Sequence, residues 1–419
     1  MNAEIVAIGS ELLLGQIVDT NSAWMAQQLA PLGVNLLYKT VVGDNPGRMR
    51  EVLARAMERS DAVITSGGIG PTQDDLTREM VAEITGRELV QDPNLLAQIE
   101  ERFHRRGLIT TPNNLKQANI PKGAIPVENP NGTAPSFIVE QPNSVIICLP
   151  GVPFEMKWLF ENEVIPYLRH KFALSEVIVS RVLKVSDLGE SGVDDRIGHL
   201  MASLPNPTVC VLAHPGQVDV RITAKAGSDR EAHTLIEPVE AEVRDLLGRH
   251  VFAVDDETME DVVGTLLRQK GLTLAVYEDV TAGMVAERAL RAAGDLFLEG
   301  VVANGPISIR RALDPSLESH QLAYLLRDRS LLTPELARSV MARSGADLGL
   351  AVHVVPEGDP LVENLGTGKT FISVAMAGGI RNRVYNVAGR GQPDRTRASL
   401  NALDLLRVTL LEGDQGGDS

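Results

Sequence analysis

Short apolar runs alternate with helical patterns through the first third of the chain. Glu4–Ile8 reads as a strand, Thr20–Leu32 as a helix whose Trp24, Met25, Gln28 and Leu29 share a face, and Asn35–Val42 as the next strand. Pro46–Arg59 follows as a helix, Ala62–Thr65 as a strand and Thr77–Thr85 as a helix. Two further strands, Ser136–Glu140 and Val145–Leu149, precede a closing helix over Pro153–Leu168. This alternation predicts a mostly parallel sheet covered on both faces. Gly15, Gly33, Gly43 and Gly67 punctuate the turns, with Gly33 placed as a helix C-cap.

The rhythm changes near Glu176. Strand-like Glu176–Val185 and Gln217–Ala226 flank a helical Glu190–Met201 and a strand-like Thr208–Ala213, and a charged helix, Asp229–Leu247, ends the segment. A second strand-helix alternation then begins. Met259–Lys270 is an amphipathic helix, followed by strand Leu272–Tyr277, helix Thr281–Ala293, strand Gly300–Asn304 and helix Pro334–Arg343. Strands Leu348–Val355 and Thr370–Ala377 and helix Arg395–Leu411 complete it. Three domains are therefore expected: α/β over 1–170, small α+β over 171–254, and α/β over 255–413, with a disordered polar tail at 414–419.

Composition narrows the class. The 419 residues are 44% hydrophobic and 23% charged, as in ordinary globular proteins, and carry a net charge of −15. That field repels a phosphate backbone, so direct nucleic-acid binding is not expected. Cys148 and Cys210 each lie in an apolar run and read as buried, inert thiols. No apolar stretch reaches the ~18 residues needed to cross a bilayer. The N-terminus shows no basic region or cleavage site, so a cytoplasmic protein is expected.

The segment SGGIGPTQDD, Ser66–Asp75, carries the strongest chemical signal. An apolar strand runs into a Gly-rich turn and then a helix. Gly67, Gly68 and Gly70 let backbone N–H groups approach an anionic ligand, and the helix offers its free N–H groups to the same phosphate. Asp74 and Asp75 would repel that phosphate unless a divalent cation bridges them; the bland alternative is that they cap the helix. Three more strand ends bring polar residues to this edge of the sheet: Gly9, Ser10, Glu11 and Asn21 at the first, Asp44 at the second, Gly151 and Glu155 at the fourth. Glu363–Thr370 ends in Gly-Lys-Thr but lacks the first glycine of a phosphate loop and leads into a strand, so it reads as an ordinary loop.

These residues resemble the competence/damage-inducible A (CinA) family. The resemblance rests on AIGSELLLGQIVDTNSAWMAQQL, SGGIGPTQDDLTREM, NGTAPSF and LPGVPFEMKWLFENEVIPYL, and LAHPGQVDVRITAKA resembles the family's small KH-like domain. No basic-flanked GxxG loop is present there, so RNA binding does not follow. The resemblance implies a three-layer, molybdopterin-binding-like N-terminal domain, a KH-like middle domain and a C-terminal domain of the nicotinamide-mononucleotide deamidase type. It further implies hydrolysis of the diphosphate of ADP-ribose with Mg²⁺, Mn²⁺ or Co²⁺, and admits a monovalent cation besides. Ser66, Gly67, Gly68, Gly70 and Thr72 would hold phosphate, Asp75 and Asp74 would be catalytic, and Asp44, Asp74 and Asp75 would hold metal. The alternative is a non-catalytic binder of a pterin or nucleotide. A homodimer is expected.

The C-terminal domain departs from the family it resembles. Where the family has Glu-Ser-Cys-Thr-Gly-Gly, this chain has Glu278–Gly283, with Asp279 in place of the nucleophilic serine. The family's later tyrosine and lysine are lost in Val301–Ile309, and its Gly-rich loop shrinks to His353–Gly358. An amidase needs a nucleophile, a proton acceptor and oxyanion donors. No amidase activity is expected.

Overall fold

The computed structural model of the chain describes residues 1–105, 107, 109–356 and 368–412. The expected tail at 414–419 and the loop residues Glu357–Thr367 lie outside them. The chain forms two compact units, residues 1–179 with 224–235, and residues 180–223 with 236–419.

The first unit is built on a six-stranded sheet. Its elements run β1 (Asn2–Ile8), α1 (Ser10–Leu13), α2 (Thr20–Leu29), β2 (Asn35–Val42), α3 (Pro46–Arg59), β3 (Ala62–Ser66) and α4 (Thr77–Ile84). Then come β4 (Leu89–Gln91), α5 (Pro93–Arg105), α6 (Pro112–Leu115), β5 (Asn119–Pro121), β6 (Ile125–Val127), β7 (Ser136–Glu140), β8 (Val145–Leu149), α7 (Pro153–Leu159) and α8 (Ile165–Phe172). The sheet order is β2-β1-β3-β8-β7-β6, with the first four strands parallel and the last two antiparallel.

Period-two alternation divides each strand between two cores. Val6, Ile8, Val63, Ile146 and Cys148 pack with Met49, Leu53, Val81, Leu95 and Ile99 of α3, α4 and α5. Ala3, Ile5, Ile64, Ile147 and Leu149 pack on the other side with Met25, Leu29, Met156 and Leu168 of α2, α7 and α8. The result is the expected α/β three-layer domain. Two helices differ from expectation, both at proline. The helix expected over Thr20–Leu32 ends at Leu29 and finishes as a 3₁₀ turn over Ala30–Leu32, because Pro31 has no N–H to donate, and Gly33 closes it at φ 67°. The closing helix passes through a π turn at Phe160–Val164 just before Pro166.

In the second unit, the five-stranded sheet runs Phe297–Val302, Leu274–Glu278, Leu348–Pro356, Gly368–Met376, Gly379–Tyr385, the first three parallel and the rest antiparallel. Helices Met259–Lys270, Met284–Ala293 and Gln392–Glu412 cover one face, and Arg329–Ser344 with two shorter helices covers the other. Gly368–Thr370 opens a strand, as expected of an ordinary loop and strand rather than a phosphate loop. The middle segment contributes a sheet ordered Thr208–His214, Gln217–Ala226, Val177–Val185, Val251–Val254. Cys148 is buried as expected, but Cys210 is exposed on the edge strand of this sheet. An apolar run does not guarantee burial where a strand lacks a neighbour on one side.

Candidate functional site

Four parallel strand ends meet at one edge of the first unit and enclose a cleft of about 390 Å³. Its wall contains Gly9, Glu11, Asp44, Gly67, Gly68, Gly70, Asp74, Asp75, Gly151 and Glu155, ten of the residues picked from sequence. Ser10, Asn21, Ser66 and Thr72 do not line it but hydrogen-bond to residues that do.

The Gly-rich turn is fixed by sterics. Gly67 has φ 107°, and a β-carbon there would come within 2.2 Å of Ile8 O. Gly68 has φ 65°, and its β-carbon would come within 2.2 Å of Thr77 Oγ1. Only glycine meets both demands. The start of α4 ties the turn down: the Thr77 N–H donates to Gly68 O and Thr77 Oγ1 donates to Gly67 O, each at 3.0 Å. The Thr77 N–H, expected to be free for a phosphate, is therefore spent on the turn. Arg78, only 1% exposed, donates to Ile69 O and Gly70 O from beneath. Burial lowers its guanidinium to about 10.

Neither acid caps α4, whose N-cap is Leu76. Asp75 instead folds back: its Oδ2 accepts from the Thr72 N–H at 2.8 Å and from the Thr72 hydroxyl. It also lies over Gly70, where a β-carbon would come within 2.5 Å of it. Asp74 is exposed and sits below the usual carboxylate range, chiefly through the Thr72 hydroxyl, then its own backbone N–H and the Lys116 ammonium. One hydroxyl carries one proton, so the two acids compete for it. Asp44 is partly committed as well. Its Oδ2 accepts from Ser10 N at 2.8 Å and Ser10 Oγ at 2.9 Å, which anchors α1. Asn21 Nδ2 donates to Ser66 Oγ at 3.1 Å and Gly151 O at 2.8 Å, stapling the ends of β3 and β8.

Sequence reasoning missed the wall supplied by Leu115–Ala134. Lys116 Nζ donates to Thr72 O at 2.7 Å and Asp75 O at 3.2 Å, holding the acidic loop by its backbone. Gln117 lines the cleft beside Thr133 and Ala134. Asn129 Nδ2 donates to Glu155 Oε2 at 2.6 Å, while its Oδ1 accepts from Asn131 N and Gly132 N. Five carboxylates and no Lys or Arg line the cleft among the described residues. No group of three or more His, Cys, Asp or Glu side chains suited to a metal ion occurs among the described residues.

In the second unit the altered motif joins strand to helix. Glu278 is fully buried and caps the helix Met284–Ala293, accepting from Val285 N at 3.2 Å and Ala286 N at 2.7 Å. Asp279, also buried, accepts from Val280 N, from Val354 N at 3.0 Å and from His353 Nδ1. Both of its oxygens are engaged.

A three-layer α/β unit with a Gly-rich cleft at its strand ends is the architecture of molybdopterin-binding domains, and residues 4–170 match the domain described as "Probable molybdopterin binding domain". Residues 180–253 match the CinA KH domain and residues 256–410 the CinA C-terminal domain. A competence-damage inducible protein of Clostridium beijerinckii is 39% identical over 98% of this chain and 100% of its own length. A CinA-like protein of Kosmotoga olearia is 37% identical over 98% of this chain and 99% of its own. Among solved structures, CinA of Thermoplasma acidophilum is 38% identical over 39% of this chain and 96% of that one, with a TM-score of 0.38. The chain belongs to the CinA family. Among the described residues, no helix is long and apolar enough to cross a membrane.

Proposed function

We propose that the first unit hydrolyses the diphosphate of ADP-ribose or a closely related nucleotide, with a divalent cation. The observation that carries this reading is the juxtaposition of the Gly67–Gly70 turn with Asp74 and Asp75 in one cleft. Five carboxylates around a phosphate cradle repel a bare diphosphate, so the ligand must bring a cation with it. Mg²⁺ is commonly bound by one or two carboxylates together with substrate phosphates, which suits a site without a third protein ligand. Asp74, with Asp75 or Asp44 beside it, would hold Mg²⁺, Mn²⁺ or Co²⁺, and the bound cation supplies charge neutralisation at the phosphates.

The chain's own groups do the rest. The Gly turn positions the phosphates. Asp75 is the residue assigned to orient the attacking water: Thr72 fixes its Oδ2, leaving Oδ1 for that water. With the second unit's Asp279 fully engaged, nicotinamide-nucleotide amidase activity is proposed to be absent. The test is product analysis with ADP-ribose and each of Mg²⁺, Mn²⁺ and Co²⁺. AMP should form, and Asp75→Ala should slow it by about a hundredfold or more. Wild-type failure with every metal, or an unchanged Asp75→Ala rate, sinks the reading.

A further inference from the structure

One wall of the cleft takes no part in the phosphate chemistry. Gln117 lies in the 3₁₀ turn Lys116–Ala118, is fully buried, and still borders the cleft. Neither its Nε2 nor its Oε1 has a hydrogen-bond partner among the described residues. The turn is held in place on both sides, by Lys116 on the acidic loop and by Ala118 in the core with Ile120. Burying an amide with both groups unmet is costly, and an apolar side chain of similar size would avoid that cost. The arrangement makes sense if a ligand supplies the partners.

The chemistry of that ligand follows from the pair of groups. A phosphate only accepts, so it would satisfy Nε2 and leave Oε1 unmet. A ring edge that carries a donor beside an acceptor satisfies both, as when a carboxamide pairs with the N6/N7 edge of adenine. We infer that Gln117 reads the donor–acceptor edge of the ligand's heterocycle, and so sets which nucleotide-like molecule the cleft accepts. The inference rests on the phosphate site proposed above.

The full-length protein would be titrated with AMP and with ribose 5-phosphate, which share the phosphate and sugar and differ in the base. The wild type should prefer AMP. Gln117→Leu should weaken AMP binding about tenfold to a hundredfold and leave ribose 5-phosphate unchanged. Gln117→Glu, which loses the donor and keeps an acceptor, should also discriminate less. A pterin phosphate tested alongside shows whether the edge read is a purine's or a pterin's: the ring whose binding depends on Gln117 is the one recognised. Equal loss of both AMP and ribose 5-phosphate, with a lowered unfolding midpoint, would mean a structural amide and overturn the inference. So would a Gln117→Leu variant that keeps the full preference for every ring, since the amide would then merely hold water. If the wild type binds none of the probes, the phosphate site itself fails and the inference falls with it.

Discussion

Alanine at Gly68 would place a methyl group 2.2 Å from Thr77 Oγ1 in a backbone held at φ 65°. The left-handed conformation alone costs about 1–2 kcal/mol for a non-glycine residue. The clash must then be relieved by moving either the turn or the start of α4. Gly68→Ala is therefore expected to lower the unfolding midpoint and, more than its stability loss explains, to depress AMP formation from ADP-ribose. Retained wild-type turnover would show that the turn does not hold the reacting group. The two thiols differ as sharply. Burial pushes Cys148 up to about 12, so it stays a neutral thiol at pH 8, whereas Cys210 is exposed. A thiol reagent under native conditions should titrate one cysteine per chain, and both after denaturation. The glycines and acids of Ser66–Asp75 were legible in the sequence because an apolar strand runs straight into them. Gln117 and Lys116 were not, because single polar residues within turns of three or four residues produce no period. Cys210 was misread because an apolar run says nothing about whether its strand is an edge.

At the scale of elements, the long regular pieces follow from periodicity. Asn35–Val42, Pro46–Arg59, Asp229–Leu247 and Met259–Lys270 have the bounds their patterns predict. The last of these is stopped and started by local chemistry, with Thr258 and Asp261 forming a capping box and Gly271 closing the helix at φ 65°. The strands between α4 and β7 stayed unread because they are three residues each, too short for alternation to register, whereas the 13-residue helix α5 in the same stretch has a helical period and was overlooked. The helix Gln392–Glu412 carries a network no pattern could show. Asp404, 1% exposed, accepts from Ser186 Oγ at 2.7 Å and from Arg407 Nε and Nη2 at 3.0 and 2.8 Å, and Arg407 is itself 4% exposed. Removing one partner of a buried pair leaves the other charge uncompensated, at a cost of about 3–5 kcal/mol. Asp404→Ala should cost the second unit about that much stability and move the far-UV circular dichroism transition in urea to lower concentration accordingly. Trp24 and Trp158 both lie in the first unit, so tryptophan fluorescence should keep its midpoint. A shift of both signals together would show that the two units unfold as one.

For the molecule as a whole, the question is whether chemistry resides in one unit or two. The second unit keeps what a fold requires, namely two apolar cores on the faces of a five-stranded sheet. At the strand-to-helix junction Glu278–Gly283 the two acids are taken up by hydrogen bonds within the unit. Glu278 caps the following helix, and Asp279 spends both oxygens on backbone N–H groups and His353. A carboxylate so engaged is a poor nucleophile, because attack would break hydrogen bonds that burial makes costly to lose. Serine at this position would restore the hydroxyl of the resembled motif but not the tyrosine and lysine missing from Val301–Ile309. The expectation is that neither the wild type nor Asp279→Ser releases ammonia from nicotinamide mononucleotide. Asp279→Ala should lose about 2 kcal/mol or more of stability, since it strands the Val354 N–H and His353 Nδ1 in the interior. An enzyme-coupled ammonia assay beside a thermal unfolding series separates the outcomes. Ammonia release by the wild type that vanishes in Asp279→Ala would make this carboxylate a nucleophile after all and restore the second unit as an active site.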